Sequence, residues 1–435
     1  MDFIATWPAV VRILAIFVLI LIAIKRQFSL GSAFLLGALM LGLIFGLDLK
    51  AILRSFLLAI IHPKTLSLSV VVSLILALSH SMEVTGQMER LLEKFRGLIR
   101  QPSLNLITFP ALIGLLPMPG GAIFSAPMVK SLGSRQKMTE AQLSYVNYWF
   151  RHIWEYWWPL YPGVLLATAL AGINLWYFVI LLIPLTVVAL ALGYWPIRKA
   201  MPWRTNTKAT GCQRRPSLTP FLRELSPILM VIMIGLGLGF FLTLILEPFG
   251  IQIAKELGLI VALLMAICWV WHNNELPVKR RLGILFRPQL LQMVYMVTSI
   301  LIFKGILEDS QAVANVSQEF LNWRIPLVSI TIILPFIVGG VSGITIAFVG
   351  TTFPILISIA EAVGESRLIV QYMMLAMASG FAGVLLSPLH LCLLLSNKYF
   401  NAPLESVYKY LWMPSVGLIL AGGAYFTLLR VLVTS

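Results

Sequence analysis

Residues 115–133 read LLPMPGGAIFSAPMVKSLG. Three prolines (Pro117, Pro119, Pro127) and a glycine pair (Gly120, Gly121) interrupt an apolar stretch there. A helix crossing hydrocarbon would be expected to run on. Proline removes a backbone donor, and glycine admits positive φ and close backbone approach, so this stretch reads as a break. Non-helical backbone at membrane depth survives only where protein buries it or it lines a watery cavity.

That the surroundings are a membrane follows from composition. The 435 residues are 59% hydrophobic and 11% charged, and the mean hydropathy is +0.92. A soluble domain carries about a quarter charged residues. Apolar runs near the roughly 20 residues that span a bilayer recur along the chain. The fold class is therefore an all-α polytopic membrane protein, and short alternating strands of a barrel are not seen. The net charge of +15 does not point to nucleic acid, because Lys and Arg collect in the connections, as in cytoplasmic loops of membrane proteins. Cys212, Cys268 and Cys392 lie far apart without CxxC spacing, so neither a disulfide framework nor a metal site is expected. The first run, Ala9 to Ile24, is followed by KRQF rather than a small-residue cleavage site and reads as a retained helix.

Apolar runs follow at 30–47 and 66–82, then the broken region 104–132, then 141–171 and 175–195. The basic stretch 198–224 is the longest hydrophilic segment. It divides a first half, 1–196, from a second, 225–435, with a linker over 197–224. The second half gives 225–246, 257–271 and 290–307, then a second broken region, 325–360, then 368–395 and 411–429. Each broken region is too long for one span and too short for two with a loop. Each reads as a re-entrant hairpin of two half-length helices, which makes about ten full spans plus two hairpins.

With the linker placed inside, the inner connections hold about 22 Lys and Arg and the outer ones about 7. That bias has the sign expected for a cytoplasmic linker. Both termini then lie outside, and the two hairpins open to opposite sides. An inverted pair of halves with matching broken elements points to a secondary transporter with its site near the midplane.

At the first tip Gly120, Gly121 and the nearby Ser125 are candidate binding groups. At the second, VGGVSG over 338–343, they are Gly339, Gly340, Ser342 and Gly343, with Thr345 beyond. Half-helices starting after each tip aim free N–H groups and a positive dipole end inward, which suits an anion such as a carboxylate. The run NYWFRHIWEYWWPLYPGV, 147–164, places Arg151, His152 and Glu155 in apolar surroundings and breaks at Pro159 and Pro162. Intramembrane ionisable groups default to a functional reading. Arg151 and Glu155, spaced i,i+4, also fit a structural ion pair, and the aromatics fit an interfacial belt. The counterpart, 378–400, breaks at Ser387–Pro388 and carries His390 just beyond, and Ser387 and His390 are further candidate substrate-binding groups. His152 with Glu155, or His390, are the proton-linked candidates. Lys304 and Glu308 form another i,i+4 pair at a helix end. No HExxH and no Walker A sequence occurs, so a metalloprotease or an ATP-driven pump has no support.

With LLPMPGGAIFSAPMV, GGVSGITIAFVGTTFPIL and LSPLHLCLLLSNKYF in view, the chain resembles a prokaryotic family of integral membrane proteins catalogued as a domain of unknown function. That family is grouped with the ion-transporter superfamily, alongside gluconate permeases, citrate and four-carbon dicarboxylate carriers, arsenite permeases and one type of sodium/proton antiporter. The resemblance implies an inverted-repeat fold with two re-entrant hairpins, often a homodimer, in the prokaryotic inner membrane. The sodium-coupled dicarboxylate carriers show a Ser-Asn-Thr signature at both tips. Neither tip here carries it, which counts against sodium coupling and a dicarboxylate.

The expected function is a secondary active transporter of a small organic anion of carboxylate type, a symporter coupled to protons or sodium. The alternative is a sodium/proton antiporter working through Glu155 and His152. A membrane-embedded enzyme or a passive complex subunit is the third reading. An enzyme would want clustered acids or a nucleophile–base pair, so no enzymatic activity is expected. Beyond Na+ or H+ as the coupling ion no cofactor is expected, and the partners are the anion and lipid, not nucleic acid.

Overall fold

The computed structural model describes residues 7–96, 98–99, 101–118, 121–200, 217–246 and 254–434. Gly120, an expected site residue, lies outside the described residues, as do Pro119, Cys212 and most of the basic linker.

Local signals start several helices where polar residues meet apolar runs. Ser29 Oγ accepts from the Ser32 amide, and Asp48 from that of Ala51. Thr139 and Gln142 form a reciprocal capping box, and Asn174 accepts from Trp176 and Tyr177. Such caps satisfy amides that a helix start leaves without partners.

Among the described residues the chain is helical, with no strand. The first half holds α1 (Ala9–Lys25), α2 (Leu30–Ile44), α3 (Leu49–Ile61), α4 (Pro63–Val84) and α5 (Gln87–Phe95). It continues with α6 (Pro102–Gly114), α7 (Ala122–Arg135), α8 (Glu140–Arg151), α9 (Pro162–Ala171) and α10 (Leu175–Tyr194). After the linker come α11 (Leu218–Leu246), α12 (Ala254–Asn273), α13 (Val278–Leu285), α14 (Pro288–Asp309) and α15 (Ala312–Asn322). The last five are α16 (Leu327–Ser342), α17 (Thr345–Ala362), α18 (Ile369–Leu385), α19 (Leu391–Phe400) and α20 (Leu404–Thr434).

Among the described residues, eight stretches are long and apolar enough to cross a membrane, and five shorter helices are also apolar. The chain has the build of a multi-pass helical membrane protein. The expected tally of spans changes in detail. α1 and α2 have 17 and 15 residues, at or just below the shortest spans. α6 and α7 are half-length, at 13 and 14 residues, but α17, expected to be half-length, has 18 and is long enough to cross.

Four connections fold into the short helices α3, α5, α13 and α15. Their charges hid them in the sequence. In α5, Met88, Leu91, Leu92 and Phe95 are buried while Glu89, Glu93 and Lys94 face out, an amphipathic pattern confined to nine residues. Lys304 and Glu308 do pair, at 3.4 Å and half exposed on the glutamate side.

Burial marks the centre. In the apolar stretch of Ser366–Leu385, 89% of residues are buried, against 17% in Leu404–Val433. α18 is therefore central and α20 peripheral. α16 lies directly on α18, and small residues permit it. A Cβ on Gly339 would stand 2.2 Å from the Gly380 carbonyl oxygen, and one on Gly383 2.1 Å from that of Phe336. Backbone meets backbone there, as at small-residue crossings of membrane helices. α7 packs on α19 and α17 on α9, so the helix after each of two breaks rests on a helix from the other half.

Candidate functional site

Four interruptions of the helical chain come together. α6 ends at Gly114 and the helix resumes with α7 at Ala122. α8 ends at Arg151, and residues 152–161 pass through turns before Pro162 opens α9. α16 ends at Ser342, Gly343 follows with φ +67°, and Thr345 opens α17. α18 gives way at Ser387–Pro388, and His390 precedes α19. Proline or glycine stands in every one of these breaks. Gly343 needs its positive φ, whereas Gly121 is right-handed, at φ −54°. What Gly121 supplies is space, since a Cβ there would lie 2.6 Å from Arg151 Nη2.

Arg151 joins three of the breaks. Its Nη2 donates to the Met118 carbonyl at 2.7 Å, and its Nη1 lies 3.3 Å from both His152 Nε2 and Cys392 Sγ. The residue is 3% exposed, and its Nε has no hydrogen-bond partner. His152 and His390 face each other, Nε2 to Nε2, at 3.0 Å. His152 Nδ1 is 2.6 Å from the Tyr148 carbonyl, and His390 Nδ1 is 2.8 Å from that of Gly343. Glu155 takes a hydrogen bond from the Thr345 hydroxyl at 2.6 Å, and its other oxygen lies 3.6 Å from His152 Nε2. A Cβ on Gly163 would meet Thr345 Cγ2 at 2.7 Å, so α9 and α17 start against each other.

The helix ends gathered here are treated unequally. Carbonyls near the stopping ends are taken by side chains. Tyr161 donates to Gly114, Trp154 to Ala111, Tyr148 to Leu385 and Tyr408 to Leu386. The starting ends are not: none of α7, α9, α17 or α19 has a side-chain cap. Ser342 accepts from the Ile344 amide and donates to the Ile344 carbonyl, and Ser387 accepts from the Leu389 amide, just before α17 and α19. Four uncapped helix starts beside a buried guanidinium favour negative charge.

A cavity of about 630 Å3 reaches the first break at Pro117 and Met118. Its other walls come from α2, α4, α13 and α14, and include His80, Glu83 and Arg287. Arg287 Nη1 lies 2.7 Å from His80 Nδ1, which lies 2.9 Å from Glu83.

Of the expected site residues, Gly121, His152, Glu155, Gly343, Thr345 and His390 fall in this cluster. Ser387 borders it, with its Oγ 2.9 Å from a Cβ placed on Gly343. Ser342 sits at the second tip. Ser125 belongs to a separate buried network, donating to Asn147 Oδ1 while Asn147 Nδ2 reaches the Ala122 carbonyl and Ser396. Gly339 and Gly340 lie in the last turns of α16, along its contact with α18.

Two expectations about the first interrupted helix change. Arg151 and Glu155 do not share a helix face, because α8 ends between them, and each takes other partners. Tyr156 and Trp157 are buried rather than set in an interfacial belt. Cys392, whose wide separation from the other cysteines points away from a metal site, belongs to the cluster. His152, His390 and Cys392 bring their ligand atoms within 4.8 Å of one another, a grouping able to hold a metal ion. The wide spacing of the cysteines hid it, since the other two groups are histidines from separate breaks. Its only signal in the sequence was the two-residue step from His390 to Cys392.

A comparison with curated proteins finds no match. Over residues 9–428 the chain matches the family described as "Protein of unknown function (DUF401)", and it belongs to that family.

Proposed function

We propose that this protein is a secondary active transporter that moves a small organic anion of carboxylate type, coupled to protons or sodium, and that it is a member of the ion-transporter superfamily. The observation that carries this reading is the convergence of four uncapped helix starts on a buried arginine with an unpartnered Nε. Free amides and a guanidinium are the donors a carboxylate needs. The cavity that reaches Met118 gives such a solute a route to the first break.

In this reading the protein is an inverted repeat, with halves 1–196 and 225–435, and α6–α7 and α16–α17 are its re-entrant hairpins. The order of elements supports it. On each side of the linker two helices lead to a short amphipathic one, a long one and another short one. A helix pair, an interrupted helix and a final helix follow on both sides. Packing supports it as well: α7 on α19 mirrors α17 on α9, and α2 on α14 mirrors α12 on α4. The expected ten spans and two hairpins count α1 and α2 as spans and α8–α9 and α18–α19 as one interrupted span each. The protein would lie in a prokaryotic inner membrane as a homodimer, with the linker cytoplasmic and both termini outside, and would carry out no enzymatic step.

Counterflow in proteoliposomes tests it. Protein-containing vesicles preloaded with unlabelled gluconate, citrate or succinate should take up the labelled counterpart of at least one, above protein-free vesicles. Uptake of none of them would refute the carboxylate assignment.

One observation favours a sodium/proton antiporter instead. Glu155 places a largely buried carboxylate in a break, against Thr345 and His152. Sodium-dependent proton release from vesicles, lost in Glu155→Gln, would select that reading.

A further inference from the structure

We propose that α13 is a docking site for an anionic phospholipid, with the phosphate headgroup in the groove at the start of the helix and an acyl chain along its exposed face. The proposal stands apart from the transport reading above.

The helix and its flanks read PVKRRLGILF over 277–286, three consecutive basic residues set among apolar ones. At about 100° per residue Val278, Leu282 and Leu285 share one face within an arc of about 60°, and Lys279 and Arg281 fall on its two sides. In the fold that apolar face is exposed, and Phe286, just past the last turn, is 75% exposed. What the helix buries is Ile284, on the opposite side. A short apolar stripe flanked by Lys and Arg suits a helix lying in the plane of a membrane surface, with the basic side chains reaching up to the headgroups. Trp269, exposed near the end of α12, marks the same level, because tryptophan collects at the boundary between lipid and water.

A groove of about 590 Å3 opens where α12 turns into α13. Its polar walls are His272, Asn273, Glu275 and Arg281. Val278 also lines it, so the groove runs on into the apolar face of the helix. Arg281 Nε donates to the Leu276 carbonyl at 2.7 Å, which fixes the guanidinium there. Among the described residues its Nη groups take no hydrogen-bond acceptor, and the exposed side chains of Lys279 and Arg280 have no ion pair. Three basic residues against the single acid Glu275 leave an excess of two positive charges.

These features select one kind of occupant. An open guanidinium fork matches phosphate oxygens. A soluble phosphate would leave the apolar face uncovered, whereas a phospholipid fills both parts at once. A zwitterionic headgroup would bring its own ammonium toward Lys279 and Arg280, so an anionic one is preferred, as at basic segments beside membrane helices. α13 also contributes Ile284 to the wall of the larger cavity, which continues through Arg287 into α14. A lipid on α13 therefore steadies that wall. α3 provides the contrast. It exposes Leu53 and Leu57 beside Lys50 and Arg54, but its start is capped by the Asp48 carboxylate, which would repel a phosphate.

Native mass spectrometry of the purified full chain in detergent, titrated with phosphatidylglycerol or phosphatidylcholine, tests this. Phosphatidylglycerol should bind in preference to phosphatidylcholine. With each basic residue near an anionic lipid surface worth about a fivefold factor, Lys279→Gln/Arg280→Gln should weaken phosphatidylglycerol about 30-fold. Lys50→Gln/Arg54→Gln should bind it as the wild type does. All four side chains are exposed, so neither pair of changes disturbs the core. Equal binding of the two lipids, or equal weakening in both double variants, would overturn the proposal. So would displacement of phosphatidylglycerol by an equal concentration of inorganic phosphate, which would make the groove a site for soluble anions.

Discussion

Arg151 Nη2 donates to the carbonyl oxygen of Met118 across 2.7 Å, tying the end of α8 to the break between α6 and α7. The same side chain touches Cys392 in the second half, so one buried cation spans the site. Everything it touches is backbone, an imidazole ring or a thiol. Among the described residues its charge is met by no carboxylate in contact, and its Nε donates to nothing. A buried charge without a full set of partners is costly, and an anionic cargo would remove that cost.

Gly121→Ala should stop carboxylate exchange while leaving the protein folded and inserted. The new Cβ would lie 2.6 Å from Arg151 Nη2, the far end of a flexible side chain, so Arg151 moves aside and the backbone need not. Counterflow together with a thermal melt checks this, expecting a loss of exchange of tenfold or more at nearly unchanged melting temperature.

The adjacent glycines of α16 should respond differently to the same change. Gly339→Ala drives a methyl against the Gly380 carbonyl at 2.2 Å, backbone that cannot yield. The penalty of such overpacking is about 1–3 kcal/mol. At Gly340 the nearest atom is the Gly383 carbonyl at 3.7 Å, an ordinary contact. Gly340→Ala should therefore melt within about 0.5 kcal/mol of wild type, and thermal unfolding in detergent reads both.

This pair of glycines shows how far the sequence could be read. The four breaks were legible from Pro and Gly within apolar runs, because few other residues end a helix in hydrocarbon. That Gly121 and Gly343 face the cluster while Gly339 serves helix packing was not legible. All are glycines near a tip, and only the crossing of α16 with α18 separates them. Likewise Glu155 and Arg151 looked paired because i,i+4 spacing presumes a continuous helix, and α8 stops at Arg151. The contact of His152 with His390 spans 238 residues, beyond any local pattern.

Glu155→Gln distinguishes the two transport readings. A glutamine oxygen can still accept from Thr345, so the joint between the break and α17 holds. Anion exchange should persist with altered pH dependence, because the charge 3.6 Å from His152 Nε2 is gone. Loss of sodium-linked proton movement, with no carboxylate exchange in either protein, would favour the antiporter.

Orientation is open to a chemical test at the cavity. Gln292 lines its wall and is exposed. With Cys212 and Cys268 replaced by serine, Gln292→Cys should react with a membrane-impermeant maleimide applied from the side of the basic linker. Reaction only from the opposite side would reverse the assigned topology.

Carboxylate binding at Arg151 is read by thermal stabilisation of the purified full chain with gluconate, citrate and succinate, in wild type and in Arg151→Gln. A ligand at 100 times its dissociation constant adds about 2.7 kcal/mol to the folded state. At least one of the three should raise the wild-type melting temperature, and the rise should be absent in Arg151→Gln. A flat wild-type response, or an equal rise in both proteins, would contradict it.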